Sequence, residues 1–388
     1  MLIHFPVDRV APTGGPAGYL CNLRRGLDEI GAGGFEFLPA AGAQMEKNAF
    51  LRRVVPDRVK DKRRLRNLLA LPAKDLPAPV DYSRYEAIHF HSTEDLYVRR
   101  GALESYRGKV VLTSHSPCAY HKELVSRLNP ADAERHAAEL EGLAVIDEYA
   151  FGRADVVVFP CPEAEEPYFH TWPGYAAVRD ESKMRYLPTG ISPCSAKAGR
   201  SEVRARYGIP EEAFLMCYVG RHNQIKGYDA LVEAALPMLD DPGTWMLVAG
   251  KEGPLFAPKH ERWVEAGWTD DPHSLIAAAD VFVLPNRETY FDLILLEVLS
   301  LRTPVVAMRT GGNKYFEGLG SEGIVLYEGE SEFRSAVNRF RSLDGTFSQR
   351  ARSDNQALYL SRFTCGEMAS RYCRLFKSTY DAHGVADA

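Results

Sequence analysis

Val281-Phe282-Val283-Leu284-Pro285 runs into Asn286-Arg287-Glu288-Thr289-Tyr290-Phe291-Asp292 and then into Leu293-Ile294-Leu295-Leu296-Glu297-Val298-Leu299-Ser300. An apolar run stopped by proline, a polar loop and a second apolar stretch read as strand, turn and buried helix, the unit from which a helix-covered parallel sheet is built. The unit recurs on both sides of this stretch. In the second half strands are expected at 214–220, 245–249, 264–266, 281–285, 305–308 and 324–326, and in the first half at 2–7, 35–39, 87–91, 110–114, 156–160 and 185–187. The order restarts after Ile191 to Arg200, where Pro193, Ser195, Ala196 and Gly199 have linker composition. Asn129-Pro130 reads as an N-cap with proline at the first helical position, and Ser201 as the cap of a short helix ending at Gly208. The expected fold class is α/β, with two Rossmann-like parallel-sheet domains facing one another across a cleft. Residues 1–193 form the first and 194–367 the second, with a terminal helix at about 368–388 packing back on the first.

Length and composition agree with this division. A chain of 388 residues, 45% apolar, exceeds the usual size of one domain and can fill two cores. No run approaches 18 consecutive apolar residues, and the opening Met1 to Asp8 reads as a buried strand rather than a leader. The expectation is a protein neither secreted nor membrane-spanning. Its seven cysteines are scattered with no CxxC pair, which disfavours a disulfide framework or a structural zinc site and suits a reducing cytoplasm. A net charge of -5 argues against general nucleic-acid binding. One segment departs from that balance. From Arg52 to Arg66 there are eight basic residues (Arg52, Arg53, Arg58, Lys60, Lys62, Arg63, Arg64, Arg66) against Asp57 and Asp61. Interleaved Leu51, Val54, Val55, Val59, Leu65, Leu68 and Leu69 could lay the segment on an anionic membrane surface; the plainer reading is a solvated helix face or loop.

In an open α/β sheet ligands bind beyond the carboxyl ends of the strands, so the loops there carry the chemistry. Glu297 falls within an apolar helix, where a carboxylate needs hydrogen-bond donors: the ribose hydroxyls of a nucleotide would serve, and so would a nearby arginine in a structural ion pair. At Asp292 and Leu293 the same helix offers free N–H groups and a positive dipole end to a phosphate. Gly220-Arg221 to Lys226-Gly227 follows the first strand of the second half. There the guanidinium fork and the compact ammonium suit a diphosphate, and the glycines permit close approach. Pro12-Thr13-Gly14-Gly15-Pro16-Ala17-Gly18 follows the first strand of all; its glycine spacing is not the GxGxxG fingerprint, which disfavours a dehydrogenase, and a ligand-free tight turn stays open. His115 ends a strand and suits a neutral hydrogen-bond partner to a hydroxyl or phosphate. His89 and His91 share a strand face but lack further ligands at zinc spacing, so ordinary strand histidines are favoured over a metal. Nowhere do two Asp stand at i and i+2. No metal is expected, and charge on a departing diphosphate falls to Arg221, Lys226 and helix dipoles.

With those segments, Thr113-Ser114-His115, Ala154 to Val158, Leu187-Pro188-Thr189-Gly190-Ile191, Ala278 to Pro285 and Gly311-Gly312-Asn313, the sequence resembles glycosyltransferase family 4 of the GT-B fold over nearly its whole length. The resemblance implies a retaining, metal-independent glycosyltransferase with a nucleotide-diphosphate sugar as donor, UDP- before GDP-, and no separate cofactor. It implies that Arg221 and Lys226 hold the diphosphate, that Glu297 holds the ribose, and that His115 and the loop before Asp292 contact the donor sugar. Gly14 and Gly15 would lie near the diphosphate and acceptor. The implied acceptor is a saccharide or lipid-linked saccharide of bacterial polysaccharide or glycoconjugate synthesis, reached in the cytoplasm or peripherally at the inner face of the membrane. One departure stands out. The family's pair of acids has seven residues between them, and counting back from Glu297 reaches Thr289, with Glu288 one place early. Either Glu288 swings in or Thr289 replaces the acid, and in the second case donor phosphate would act as the base. Two rivals share the architecture: a non-hydrolysing nucleotide-sugar epimerase, for which extra acid and base groups are not evident, and a non-catalytic partner of an active transferase.

Overall fold

The computed structural model describes residues 1–5, 15–39, 57–342 and 345–381. They divide into two compact units, Met1–Pro188 with Arg371–Ala388, and Thr189–Ser370.

The first unit holds a six-stranded sheet in the order β2-β1-β3-β4-β5-β6: β1 (Leu2–Phe5), β2 (Glu36–Pro39), β3 (Ala87–Phe90), β4 (Lys109–Leu112), β5 (Val156–Phe159) and β6 (Met184–Tyr186). The second holds six more in the order β12-β11-β10-β7-β8-β9: β7 (Phe214–Val219), β8 (Thr244–Ala249), β9 (Trp263–Gly267), β10 (Val281–Leu284), β11 (Val305–Met308) and β12 (Ile324–Tyr327). Among the described residues all strand pairings are parallel. Every residue of β1, β3, β5 and β10 is buried, as a sheet covered on both faces requires, and this is why β5 and β10 read as unbroken apolar runs and β1 and β3 as apolar runs broken only by the buried His4 and His89. The expected strands are present, several ending a residue or two early; residues 6 and 7 of the first lie outside the described residues. Strand order reverses between β1 and β3 in one sheet and between β7 and β10 in the other. Ligand crevices of doubly wound sheets open at such points, and the loops after β7 and β10 carry Arg221, Lys226, Glu288, Thr289 and Asp292.

Two local readings change. Asn129 caps the helix Pro130–Arg135, its side chain accepting from the Ala131 N–H at 3.0 Å. Ser201 is not a cap: the helix Arg200–Arg206 starts two residues earlier than such a cap would allow, with Gly199 at the N-cap, and the Ser201 hydroxyl bonds Glu211 instead. The basic segment forms the helix Asp57–Leu69 from residue 57 on; Leu51, Arg52, Arg53, Val54 and Val55 lie outside the described residues. Its apolar side does not face outward. Leu68 is buried, and Leu65 and Leu69 pack with it against Leu71, Tyr97, Leu124, Leu140 and Ile146. Only the charge remains outside, on Lys60, Lys62, Arg63, Arg64 and Arg66, beside an exposed Val59. Among the described residues no helix is long and apolar enough to cross a membrane.

Candidate functional site

In the second unit the loop after β7 is pressed against the loop after β10. Gly227 has φ +65°, and a Cβ there would lie 1.8 Å from the Pro285 carbonyl oxygen, so both the backbone conformation and the space demand glycine. The Arg287 N–H donates to the Ile225 carbonyl at 3.1 Å, and the Arg287 guanidinium reaches Asp229 at 2.7 Å. On the other side the loop after β11 closes in: the Gly312 N–H donates to the Thr289 carbonyl at 3.2 Å, and a Cβ on Gly311 would come within 2.1 Å of that same oxygen. The loop from 286 to 292 is thus gripped by backbone from both flanks.

At its centre stands Asp292. One carboxylate oxygen accepts from the Lys226 ammonium at 3.2 Å; the other accepts from the Thr289 hydroxyl at 2.8 Å and from the Asn286 amide. Asp292 occupies the N-cap of the helix Leu293–Ser300, but its side chain makes no capping bond. The carboxylate is committed to three side chains; the Leu295 N–H is taken by the Asp292 carbonyl at 3.1 Å, and no capping side chain covers the helix start at Leu293 and Ile294. Thr289 is buried and Glu288 exposed, so the residue facing Asp292 at the departing position is the threonine. Lys226 is 38% exposed, and its own N–H is fixed by the Asn223 side chain at 2.9 Å. Arg221 is exposed, with no side-chain hydrogen bond or ion pair among the described residues.

Glu297 corrects one expectation. Its helix is apolar, yet its side chain is 30% exposed, and its partner is His273 at 3.3 Å rather than an arginine. His273 follows Pro272 at the start of the helix Pro272–Ala278, which Asp271 caps through the Ser274 N–H. The imidazole is pushed up to about 10, first by its hydrogen bond to the Cys194 side chain and next by Glu297, against the burial that opposes its charge. Neither His273 nor Cys194 figured among the sequence candidates. His273 had only the signal of a helix start after a strand and Cys194 none, since the residues that meet lie 24 and more apart in sequence.

In the first unit Gly14 lies outside the described residues, and Gly15 begins the helix Gly15–Glu29 with open space where a Cβ would stand. His115 follows β4 with φ +58°, a conformation non-glycine residues rarely adopt. Its Nε2 lies 2.9 Å from His91 Nδ1, and its ring packs on Tyr19 at 4.6 Å. His89 is satisfied by Tyr372 at 2.7 Å and Thr113 at 2.9 Å. Burial drives all three imidazoles down, His115 to about 3, so the strand histidines are neutral hydrogen-bonding groups. The structure brings together Lys226, Thr289 and Asp292 in one unit and His115 with His91 in the other.

Comparison with known proteins gives this arrangement a family. Residues 213–341 match the family described as glycosyl transferases group 1. Over 186 residues, 45% of this chain and 53% of the other, it is 27% identical to a lipopolysaccharide core biosynthesis glycosyltransferase of Rhizobium meliloti. Over 277 residues, 65% of this chain and 58% of the other, it is 29% identical to a D-inositol 3-phosphate glycosyltransferase of Geodermatophilus obscurus. The chain therefore spans just over half the length of these relatives. In fold it is similar to sucrose-phosphate synthase of Thermosynechococcus elongatus, with a TM-score of 0.65 at 18% identity over 98% of this chain and 99% of that one. With two parallel sheets and a second unit carrying the matched segment and the loops described above, the chain has the GT-B fold, and its residues 213–341 are those of a group 1 glycosyltransferase, similar to family 4.

Proposed function

We propose that the protein transfers a sugar, with retention and without a metal in the transfer step, from a nucleoside-diphosphate sugar to a saccharide or lipid-linked saccharide acceptor. The observation that carries this reading is the Lys226–Asp292–Thr289 assembly at the reversal point of the second sheet, beside an uncapped helix start. In the transfer the bond from the anomeric carbon to the diphosphate breaks, and a bond to the acceptor oxygen forms on the same face. The acceptor proton passes to the departing diphosphate. Lys226 and Arg221 stabilise that leaving group together with the helix dipole. Glu297, steadied by His273, receives the ribose hydroxyls. Thr289 in place of a carboxylate removes a candidate base near the sugar, which leaves the proton to the donor phosphate; Asp292 returns a carboxylate three residues on. UDP-sugars are the donors proposed first, ahead of GDP-sugars, in bacterial polysaccharide or glycoconjugate synthesis.

The test is a panel of UDP- and GDP-sugars scored by thermal shift and by diphosphate release, on the wild type and Glu297→Ala. A donor that raises the melting temperature and turns over only with acceptor present, the shift being lost and the turnover reduced at least about 100-fold in the variant, is expected. Silence toward every donor would favour a non-catalytic partner of another transferase, and turnover without acceptor an epimerase. An inverted anomeric product by NMR would sink the retaining mechanism.

We place the protein on the cytoplasmic side, held peripherally at the inner face by charge. With Leu65, Leu68 and Leu69 committed to the protein's own core, the exposed lysines and arginines of the Asp57–Leu69 helix can attract anionic lipid, at about 1 kcal/mol each, but offer little to insert. Flotation with phosphatidylserine vesicles should therefore be salt-sensitive. Binding that survives 0.5 M salt, or no binding at low salt, would remove this attachment.

A further inference from the structure

The residue between Arg221 and Asn223 has no part in that reading, and its surroundings are unusual. His222 is fully buried, its ring stacked flat on Tyr228 at 3.9 Å and 3°. Neither ring nitrogen has a hydrogen-bond partner among the described residues. A buried imidazole left so is costly, because its polar nitrogens have given up water without replacement. Beside it stands Glu265, on β9. Its Oε1 accepts from the Tyr228 hydroxyl at 2.9 Å and the Trp263 indole N–H at 2.8 Å, while its Oε2 has no hydrogen bond and lies 3.6 Å from His222 Nε2. Glu252, exposed in the loop after β8, completes the group; one of its oxygens lies 3.4 Å from the Ala257 N–H. One ligand atom from each of His222, Glu252 and Glu265 falls within 4.8 Å of the others.

We propose that His222, Glu252 and Glu265 bind a divalent first-row transition ion of the zinc type. One imidazole and two carboxylates suit zinc, with water completing the coordination, whereas magnesium and calcium prefer oxygen ligands alone. The outer contacts are in place: Tyr228 and Trp263 occupy Glu265 Oε1 and so turn Oε2 toward the imidazole. The backbone is already tight. The His222 N–H donates to the Lys251 carbonyl at 3.2 Å, the Leu255 N–H donates to the His222 carbonyl at 3.1 Å, and a Cβ on Gly250 would lie 1.8 Å from the Gly220 carbonyl oxygen. A bound ion would clip the loop after β8 to the loop that carries Arg221 and Lys226, setting that loop's position and taking no part in bond breaking.

The full chain, stripped with chelator and then titrated with zinc chloride, should retain one zinc per chain after desalting, by mass spectrometry of the metal. Its melting temperature should rise by about 5 °C or more at saturation. Glu252→Gln changes an exposed residue and should fold normally by circular dichroism while weakening zinc at least about tenfold; His222→Gln and Glu265→Gln should do the same. Magnesium should neither bind nor shift the melt. The proposal is overturned if the wild type retains no zinc and shows no shift, if Glu252→Gln and His222→Gln take up zinc as the wild type does, or if magnesium matches zinc. Donor binding is read separately in the panel above, so a chain that binds zinc but no nucleotide sugar would leave this site standing and the transferase reading not.

Discussion

At position 289 packing separates two neighbours that counting left side by side. Spacing from Glu297 reached Thr289 and left Glu288 as a rival; packing buries the threonine with its hydroxyl on Asp292 and leaves Glu288 outside. That was not legible beforehand, because which of two neighbours turns inward depends on Gly311 and Gly312 gripping the loop from another strand. His273 was equally silent, its charge being set by Cys194 and Glu297 from distant parts of the chain. It carries a testable consequence. Its folded pKa of about 10 lies above an unfolded value near 6.5, so the stability it contributes is present in full below about pH 6.5 and is lost as pH rises through 10. The urea-unfolding difference between wild type and His273→Ala should therefore shrink by roughly 1–2 kcal/mol, once solvent screening is allowed for, between pH 6 and pH 10.5. A difference flat across that range would show that His273 does not hold its proton in the folded protein.

Among elements, the strands were the most legible, since a strand buried on both faces reads as a mostly apolar run that stops at a turn residue, as Val281–Leu284 does before Pro285. Their order in the sheet was not legible, and it is the order that sets the β7 loop beside the β10 loop. Helix starts divided by mechanism: Asn129 caps as its side chain allows, whereas at 199–201 the backbone of Gly199 suffices and Ser201 is spent on Glu211. The meeting of the two loops depends on a missing side chain. Gly227→Ala must accept a left-handed alanine and push against the Pro285 carbonyl, so a loss of at least about 2 kcal/mol is expected. Gly31 is the control, with φ +64° but nothing within 4 Å of a Cβ; Gly31→Ala should cost only about 1 kcal/mol. Equal melting temperatures for the two variants would mean that the close approach to Pro285 contributes nothing.

For the molecule as a whole, two strand sets separated by a linker-like stretch were visible in the sequence, as was a terminal helix expected on the first domain; the residue at which that helix passes between units was a matter of packing. Cys365–Asp381 is one continuous helix, with Cys365 to Ser370 in the second unit and the part from Arg371 in the first. There Tyr372 is fully buried and hydrogen-bonds His89 on β3, and Phe376 is 3% exposed against the same histidine. Tyr372→Ala should accordingly cost about 3–5 kcal/mol, and hydrogen exchange should show the loss in β3 and β4, hundreds of residues away in sequence, rather than in β7 and β8. Protection lost first in the second sheet would contradict that assignment. The same helix imposes a timetable on the newborn chain. A ribosome that has delivered all six strands of the first sheet has still not made Tyr372, so that core waits with an unfilled place while the second unit is translated. Domains emerging from the ribosome commonly fold from the N-terminus forward; here the later-born unit can be complete before the earlier one, and a chaperone guarding the nascent protein would find its longest-lived client surface near β3.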